Sequence, residues 1–261
     1  MASFSETLRG LLAHPLTRGL DLDDPRTTEL RREVIRSKPF LRRLYDDWYR
    51  CIAEQVPLGA APVLEVGSGA AYLDDWVEGL ITSEAFFCRK VKLVADAMEL
   101  PFSTASLGAI VMTDVFHHIR DARRFLQEAV RCLRPGGRIV MIEPWVSTWS
   151  RITWTMLHHE PFLPDSAAWS IPVSGPLSGA NGALPWIVFE RDLAIFTKEF
   201  PHLTLQLVRP MMPFRYLVSG GVSMRSLMPT FSYGIWATLE RIIEPWIRNW
   251  AMFALIVIGR R

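Results

Sequence analysis

Apolar residues recur at the three- and four-residue steps of an amphipathic helix from Leu41 to Val56. An earlier helical pattern begins at Thr27 and breaks near Pro39. A proline ring removes one backbone donor and clashes with the preceding turn, so a helix does not continue through it. The pattern therefore predicts helices on both sides of Pro39, within a helical N-terminal cap over residues 1–60.

Short apolar runs that alternate with helical segments fill the next part of the chain. The first run, Pro62–Val66, stops at two glycines, and a short helix is predicted at Tyr72–Leu80. A longer amphipathic helix is predicted at Ala122–Leu133. Strands that alternate with helices predict an α/β fold with a mostly parallel, doubly wound sheet. The other strand candidates of this part are Leu80–Phe87, Val91–Ala95, Ala109–Thr113 and Arg138–Ile142.

The stretch 144–189 is rich in proline and holds five of the ten tryptophans. It is too long for a simple connection, so it is interpreted as a lid insertion over an apolar or ring-bearing ligand. Packing of these tryptophans in the core is the other interpretation. The elements predicted after it are a helix at Glu190–Phe200, a strand at Leu203–Val208, a long helix at Tyr233–Trp250 that is kinked or broken near Pro245, and a closing strand at Met252–Ile258.

These elements predict one domain with a seven-stranded, Rossmann-like sheet. The cap covers residues 1–60, the ligand-binding core 61–143, the lid insertion 144–189, and the C-terminal strands and helix 190–261.

Composition excludes several classes of protein. The 261 residues are 49% hydrophobic and 21% charged, so the chain can bury a full core and is not disordered. The net charge is +2, and basic residues form no patch, which argues against nucleic acid as a partner. No apolar run approaches the roughly 18 residues of a membrane span, although peripheral membrane contact stays open. The oligomeric state is not indicated.

Three widely spaced cysteines, without a C-x-x-C pair, argue against a disulfide framework and favour a reducing cytoplasm. The N-terminus also lacks the order of charged and apolar residues typical of a signal peptide.

A glycine loop follows the first strand, in the order Glu65, Val66, Gly67, Ser68 and Gly69. Such a loop lets a ligand approach the backbone closely. A dinucleotide loop would have a small residue where this chain has Tyr72, which argues against NAD or FAD.

Three more acids follow successive strands: Glu84, Asp96 and Asp114. Glu84 lies 19 residues after Glu65, about the distance at which nucleoside-binding proteins place a ribose-binding acid. Because parallel strands end at the same edge of a sheet, these acids are expected to lie at one ligand site.

Residues 60–145 resemble the class I S-adenosylmethionine (SAM)-dependent methyltransferases, within the branch that includes the ubiquinone and menaquinone C-methyltransferases. The resemblance implies SAM as cofactor and S-adenosylhomocysteine (SAH) as its product. The matching segments are 64–70 (LEVGSGA), 95–102 (ADAMELPF), 110–119 (IVMTDVFHHI) and 133–143 (LRPGGRIVMIE).

The resemblance also implies a role for each matched position. The methionine end of SAM would contact the loop, the ribose hydroxyls would bind an acid, and the adenine edge would lie at the third strand. By this assignment Glu65, Gly67, Ser68 and Gly69 hold the methionine end, Glu84 or the neighbouring Ser83 the ribose, Asp96 and Ala97 the adenine, and Thr113 and Asp114 close over the sulfonium.

An acceptor hydroxyl or acidic carbon must also lose a proton, and histidine suits that task near neutral pH. The candidate catalytic residues are His117 and His118 after the fourth strand and His159 in the insertion. These histidines could instead pack against the cofactor or cap a helix. No third ligand stands at a zinc-binding spacing such as H-E-x-x-H, so no metal site is predicted.

The predicted function is methyl transfer from SAM to a small molecule, most readily to an oxygen of a lipophilic, aromatic or glycosidic acceptor. Two other functions remain open from the sequence. One is a SAM-binding regulatory or scaffold subunit without activity, and the other is a tryptophan-rich module that docks on a protein or membrane.

Overall fold

The computed structural model describes residues 12–16, 25–60, 62–69, 72–89, 91–158, 160–171 and 179–261. Within residues 25–60, two helices precede the sheet, α1 at Pro25–Ser37 and α2 at Pro39–Ala53. Pro39 occupies the first turn of α2, where its missing N–H has no helical partner to lose. The apolar face of α2 is buried, as its periodicity predicted.

Seven strands form one sheet with the order β3-β2-β1-β4-β5-β7-β6. Of these strands only β7 runs antiparallel to its neighbours, β5 and β6. The prediction of a mostly parallel, doubly wound α/β sheet is confirmed. The strands are β1 Val63–Val66, β2 Leu80–Glu84, β3 Leu93–Val94, β4 Leu107–Thr113, β5 Leu133–Pro144, β6 Leu203–Met211 and β7 Phe253–Arg260.

Helices cover both faces of the sheet and bury an apolar layer on each. The α2 helix packs on one face, and α3 with the segment 183–200 packs on the other. The helices after α2 are α3 Ala122–Cys132, α4 Thr148–Leu157, α5 Leu193–Glu199, α6 Arg215–Ser219, α7 Tyr233–Ile242 and α8 Ile247–Trp250.

Two helical predictions need correction, and a third is confirmed. The helix expected at Tyr72–Leu80 is a single 3-10 turn, Leu73–Asp75, because Gly79 adopts a left-handed φ of +71° before β2. The helix expected at Glu190–Phe200 begins as a π-helical segment, Ile187–Arg191, and continues as α5. The break expected near Pro245 is present as the 3-10 turn Glu244–Trp246.

Three tryptophans of the 144–189 stretch are buried: Trp145, Trp154 and Trp169. Trp154 packs against Phe253 of β7, with ring centroids 5.5 Å apart. Packing in the core thus accounts for these three tryptophans. Within the described residues, no helix is both long and apolar enough to cross a membrane.

Candidate functional site

A cavity of about 490 Å³ opens at the carboxyl ends of β1, β2 and β4, which is a typical size for a small-molecule site. Helices α1 and α2 form its other wall, through Thr28, Arg31, Ile35, Tyr45 and Tyr49. All nine predicted cofactor residues line it: Glu65, Gly67, Ser68, Gly69, Glu84, Asp96, Ala97, Thr113 and Asp114.

The glycine loop after β1 adopts backbone conformations that favour glycine. Gly67 and Gly69 both adopt left-handed conformations, with φ of +67° and +46°. A Cβ on Gly67 would lie 2.5 Å from a methyl carbon of Val115, so a larger residue does not fit there. The Gly69 N–H donates a 2.6 Å hydrogen bond to Glu84, which fixes the loop to the end of β2.

Glu65 presents a carboxyl group to the cavity from the end of β1. Its side chain is 2% exposed, and its Oε2 atom has no hydrogen-bond partner in the structure. Burial raises the pKa of Glu65 to about 8, because a carboxylate is poorly solvated there. A cationic ligand group would supply the missing partner and favour the ionised form.

The ends of β1 and β2 are joined through Ser68 and Ser83. The Ser83 N–H donates to the Ser68 hydroxyl oxygen at 2.9 Å, and the Ser83 hydroxyl donates to the Glu65 carbonyl at 2.7 Å. Ser83 is not among the residues that line the cavity, whereas Glu84 is. Glu84 is therefore better placed than Ser83 to contact a ligand.

Asp96 and Ala97 line the cavity beyond β3. Asp96 is exposed and accepts a 2.9 Å hydrogen bond from the Met98 N–H. Its other oxygen accepts a 3.2 Å hydrogen bond from Arg120, which also lines the cavity. The Asp96–Arg120 ion pair lies at the solvent-exposed edge of the site.

Thr113 and Asp114 face the cavity from the end of β4. The Thr113 hydroxyl oxygen is buried without a hydrogen-bond partner in the structure. Asp114 adopts a left-handed φ of +62°, unusual for a residue other than glycine. Burial raises the pKa of Asp114 to about 7, with Glu143 and Glu160 adding to the effect and His117 opposing it.

His118 lines the cavity, but His117 does not. The His118 Nδ1 atom lies 3.0 Å from the carbonyl oxygen of Gly179, so the neutral ring carries its proton there and leaves Nε2 as an acceptor. Burial, together with the positive charge of His117, lowers the pKa of His118 to about 4. His118 is thus neutral near pH 7.

His117 is enclosed between two carboxylates. Its Nδ1 lies 2.8 Å from Glu143 and its Nε2 lies 3.3 Å from Glu160. Although burial acts to lower the pKa of His117, hydrogen bonds to these carboxylates raise it well above its usual range. This contact set favours a positioning role over the predicted role as a base. The third predicted catalytic residue, His159, lies outside the described residues.

Sequence reasoning missed several residues of this region. Tyr45 and Tyr49 were interpreted only as part of the buried face of α2, yet both line the cavity. Glu143 is completely buried and accepts hydrogen bonds from the Val115 and Phe116 N–H groups. It ends the fifth strand at the same edge as the other acids, so the strand-end pattern could have identified it.

The predicted lid insertion makes a smaller contribution than expected to the described cavity wall. None of its described residues lines the main cavity, whereas several of them line a small neighbouring cavity that also contacts Asp114. Residues 172–178, at the centre of the stretch, lie outside the described residues. The lid therefore stays a prediction.

Comparison with known proteins gives one family match, for residues 64–141, to a family described as a methyltransferase domain. A phthiotriol/phenolphthiotriol dimycocerosates methyltransferase of Mycobacterium tuberculosis is 35% identical over 113 residues, or 36% of this chain and 42% of that protein. A 27-O-demethylrifamycin SV methyltransferase of Amycolatopsis mediterranei is 43% identical over 47 residues, or 18% of this chain and 17% of that protein. This chain thus spans less than half the length of these curated relatives.

A solved geranyl diphosphate methyltransferase, in complex with GPP and sinefungin, has the same fold. The superposition has a TM-score of 0.50 at 14% identity and covers 85% of this chain and 79% of that chain. At this identity the likeness concerns the fold alone.

Proposed function

Because residues 64–141 are a class I SAM-dependent methyltransferase domain, with SAM as its cofactor, we propose that this protein methylates a small-molecule acceptor. SAM would supply a methyl group on its sulfonium: the acceptor would bond to the methyl carbon while the carbon–sulfur bond breaks, and SAH would leave. The protein has to align the acceptor with that methyl group, exclude water and remove one proton.

The residues around the cavity suit SAM. The Glu65 carboxyl, whose Oε2 atom has no partner in the structure, suits the ammonium group of its methionine part, and the left-handed Gly67 and Gly69 present backbone without side chains to the cavity. Glu84 would meet the ribose hydroxyls, and Asp96 and Ala97 the adenine. The observation that carries the proposal is this glycine loop, with a buried acid at the end of β1.

Two groups on the acceptor side of the cavity can take up a proton. One is Nε2 of His118, and the other is the Asp114 carboxylate, whose pKa of about 7 suits general base catalysis. His117, held between Glu143 and Glu160, would orient His118 rather than contact the acceptor.

An oxygen of a lipophilic acceptor is the preferred target. Apolar and aromatic side chains from the helices, including Ile35, Tyr45 and Tyr49, line the cavity beside the polar strand ends. Two of the relatives support this choice by their names, since one acts on phthiotriol dimycocerosates and the other on 27-O-demethylrifamycin SV. Carbon methylation is the alternative. A demethylmenaquinone methyltransferase of Corynebacterium glutamicum supports it by its name, with 38% identity over 52 residues, or 20% of this chain and 23% of that protein.

The test combines SAM binding with an acceptor screen. The protein is titrated with SAM by calorimetry and then incubated with labelled SAM and fractionated lipid extracts, which are searched by mass spectrometry for products heavier by one CH2 unit. We expect SAM binding, labelled lipophilic products and SAH in equal amount, all absent from Gly67→Arg. SAM binding without SAH would favour the regulatory subunit instead, and equal SAM binding by Gly67→Arg would contradict the proposal.

A second candidate function, docking on a phospholipid surface, is favoured by one observation. Large apolar side chains are exposed around α7 and α8, among them Phe231 at 85% and Trp246 at 59%. The neighbouring acid Glu240 is buried against Arg215, so the exposed charges of this region are those of Arg241, Glu244 and Arg248, which leave a small positive excess. Such side chains suit a membrane surface that carries lipophilic acceptors.

Sedimentation with mixed anionic phospholipid vesicles tests the docking. We expect Phe231→Ser and Trp246→Ser to reduce vesicle binding, while Leu58→Ser, which changes a fully exposed apolar residue far along the chain, leaves it unchanged. Absence of wild-type binding to the vesicles would contradict it.

A further inference from the structure

His117, His118 and Glu160 form a compact group beside the main cavity, here called the histidine–glutamate cluster. Their nitrogen and carboxylate ligand atoms all lie within 4.8 Å of one another. Glu160 lies 3.3 Å from Nε2 of His117 and 3.7 Å from Nε2 of His118. Each of the two imidazole nitrogens therefore faces a different oxygen of the same carboxylate, His117 the Oε2 atom and His118 the Oε1 atom.

The outer contacts of the cluster orient both rings in the way that metal sites require. The far nitrogen of His117, Nδ1, hydrogen-bonds to Glu143 at 2.8 Å, and that of His118 hydrogen-bonds to the Gly179 carbonyl at 3.0 Å. Histidines that bind metals nearly always donate their other ring N–H to a carboxylate or a backbone carbonyl. Here His117 has a carboxylate partner and His118 has a backbone carbonyl partner, and both Nε2 atoms face Glu160.

The spacing of the cluster is close to that of a loaded site. Bonds of 2.0–2.1 Å at tetrahedral angles put neighbouring ligand atoms about 3.3–3.5 Å apart. The two nitrogen–oxygen distances, 3.3 Å to Oε2 and 3.7 Å to Oε1 of Glu160, together with ligand atoms no more than 4.8 Å apart, allow side-chain movements of about 1 Å to reach this spacing. We propose that His117, His118 and Glu160 bind a divalent transition-metal ion of the zinc type, with a fourth position open toward the cavity.

The donor set supports the choice of ion. Two neutral imidazoles with one carboxylate form a ligand set of catalytic zinc sites, which keep one position for water or substrate. A site with two nitrogen ligands is unsuited to calcium and magnesium, which prefer oxygen. Metal binding would replace the proton that His117 shares with Glu160, while the bond from His117 to Glu143 is kept.

The position of the cluster suggests what the metal would do. His118 lines the main cavity, Glu160 lines the small neighbouring cavity, and Asp114 lines both. An acceptor hydroxyl bound at the open position would become more acidic and pass its proton to Asp114, because Nε2 of His118 would then be a metal ligand and could not accept it. Its oxygen would then form the bond to the SAM methyl carbon while the carbon–sulfur bond breaks, leaving neutral SAH. This role rests on the proposed function, whereas metal binding itself does not.

Metal titration of the untagged full chain tests the site directly. After removal of metal with EDTA, the protein is titrated with Co²⁺, followed by visible absorption, and then with Zn²⁺ in competition. We expect one Co²⁺ per chain, displaced by one Zn²⁺. Glu160→Gln and His118→Asn should weaken binding by at least about 100-fold, and Glu143→Gln, which changes an outer contact, by about 10- to 100-fold.

Two controls separate this site from adventitious binding and from misfolding. His202→Asn alters an exposed histidine and should leave the titration unchanged, while circular dichroism and SAM calorimetry verify that each variant is folded. X-ray absorption of the zinc-loaded wild type should show two imidazole ligands, a readout that needs no variant.

Absence of stoichiometric Co²⁺ binding by the wild type, or equal binding by folded Glu160→Gln, would overturn the proposal. Neither result depends on methyl transfer. Failure to bind metal would therefore not contradict the proposed activity, and failure to transfer a methyl group would not contradict the metal site.

Discussion

Glu65 carries a carboxyl group whose pKa of about 8 lies far above its value in an unfolded chain, because it is buried. The folded, ligand-free protein therefore holds this proton near pH 7. A bound ammonium group would favour the carboxylate and lower that pKa. Ligand binding and proton release are thereby coupled at this one residue.

We predict that SAM binding at pH 7 releases close to one proton, and that binding above pH 9 releases none, because Glu65 is then already ionised. The measurement is calorimetry in buffers that differ in ionisation enthalpy. Glu65→Gln should abolish the release and weaken binding. Equal proton release by wild type and Glu65→Gln would contradict the assignment.

The raised pKa of Glu65 also makes the stability of the folded protein depend on pH. Since the pKa is raised on folding, the folded state binds more protons than the unfolded state between about pH 4.5 and 8. Stability from this source is present at low pH and is lost as the pH rises through that window. Glu65→Gln should remove this part of the decline, measured as the midpoint of thermal unfolding without ligand.

Gly59 and Gly67 have the same φ angle, so substitutions at these two positions distinguish the cost of backbone strain from the cost of a steric clash. Gly59 and Gly67 both have φ of +67°, but a Cβ on Gly59 meets nothing within 4 Å, whereas one on Gly67 would clash with Val115. Gly59→Ala should cost only the left-handed strain, about 1–2 kcal/mol, and leave SAM affinity unchanged. Gly67→Ala should cost more and weaken SAM binding.

Urea denaturation and SAM calorimetry on both variants check this prediction. Equal losses of stability together with unchanged SAM affinity would show that the close approach at Gly67 has no functional consequence.

At the scale of elements, α7 is held by a buried acid on an otherwise amphipathic helix. Glu240 accepts hydrogen bonds from the Phe214 and Arg215 N–H groups at 3.0 and 2.7 Å, and it also pairs with the Arg215 guanidinium. Arg215 in turn contacts Asp47 of α2 at 2.8 Å. The start of α6 is thereby tied to both α2 and α7.

Removal of Glu240 should leave the Phe214 and Arg215 N–H groups and the Arg215 Nε atom without an acceptor, with Asp47 as the remaining carboxylate partner of Arg215. We expect Glu240→Ala to lower the free energy of unfolding by about 3–5 kcal/mol, as for other buried ion pairs that lose one partner. Glu244→Ala, an exposed acid that follows α7, should change it by less than about 0.5 kcal/mol. Chemical denaturation of both variants provides the comparison, and similar effects would contradict the structural role of Glu240.

Elements were predictable from sequence where a single period dominates. The apolar period of α2 and the runs of β1 and β4 predicted those elements, since burial of one face or of whole strands dictates their composition. The helix predicted at Tyr72–Leu80 does not form, because tertiary packing outweighs local helix propensity there. The guanidinium groups of Arg32 and Arg42 lie 4.5 and 4.0 Å from the centre of the Tyr72 ring, which holds the segment under the cap.

At the scale of the whole molecule, the candidate site combines a predictable half with one that sequence patterns do not reveal. The strand-end residues follow from sheet topology, because parallel strands end at one edge. Tyr45 and Arg31 reach the same cavity only through the packing of the cap, and Glu160 reaches His117 across 43 residues of sequence without any spacing motif.

Because α1 and α2 line the cavity, SAM should stabilise them as well as the sheet edge. We predict that saturating SAM slows amide hydrogen exchange in residues 28–49, as well as in 65–69 and 113–119, while exchange in α7 changes little. Hydrogen exchange measured by mass spectrometry checks this. Protection restricted to residues 62–119 would show that the cap does not close on the ligand.

The position of β7 has a consequence for synthesis on the ribosome. This strand covers Phe253–Arg260 and yet lies inside the sheet, paired with β5 on one side and β6 on the other. Until these residues leave the exit tunnel, β5 and β6 present unpaired strand edges. Such edges bind chaperones or pair with other chains and cause aggregation. The SAM-binding strands can pair early, but the complete sheet must form after translation has passed residue 260.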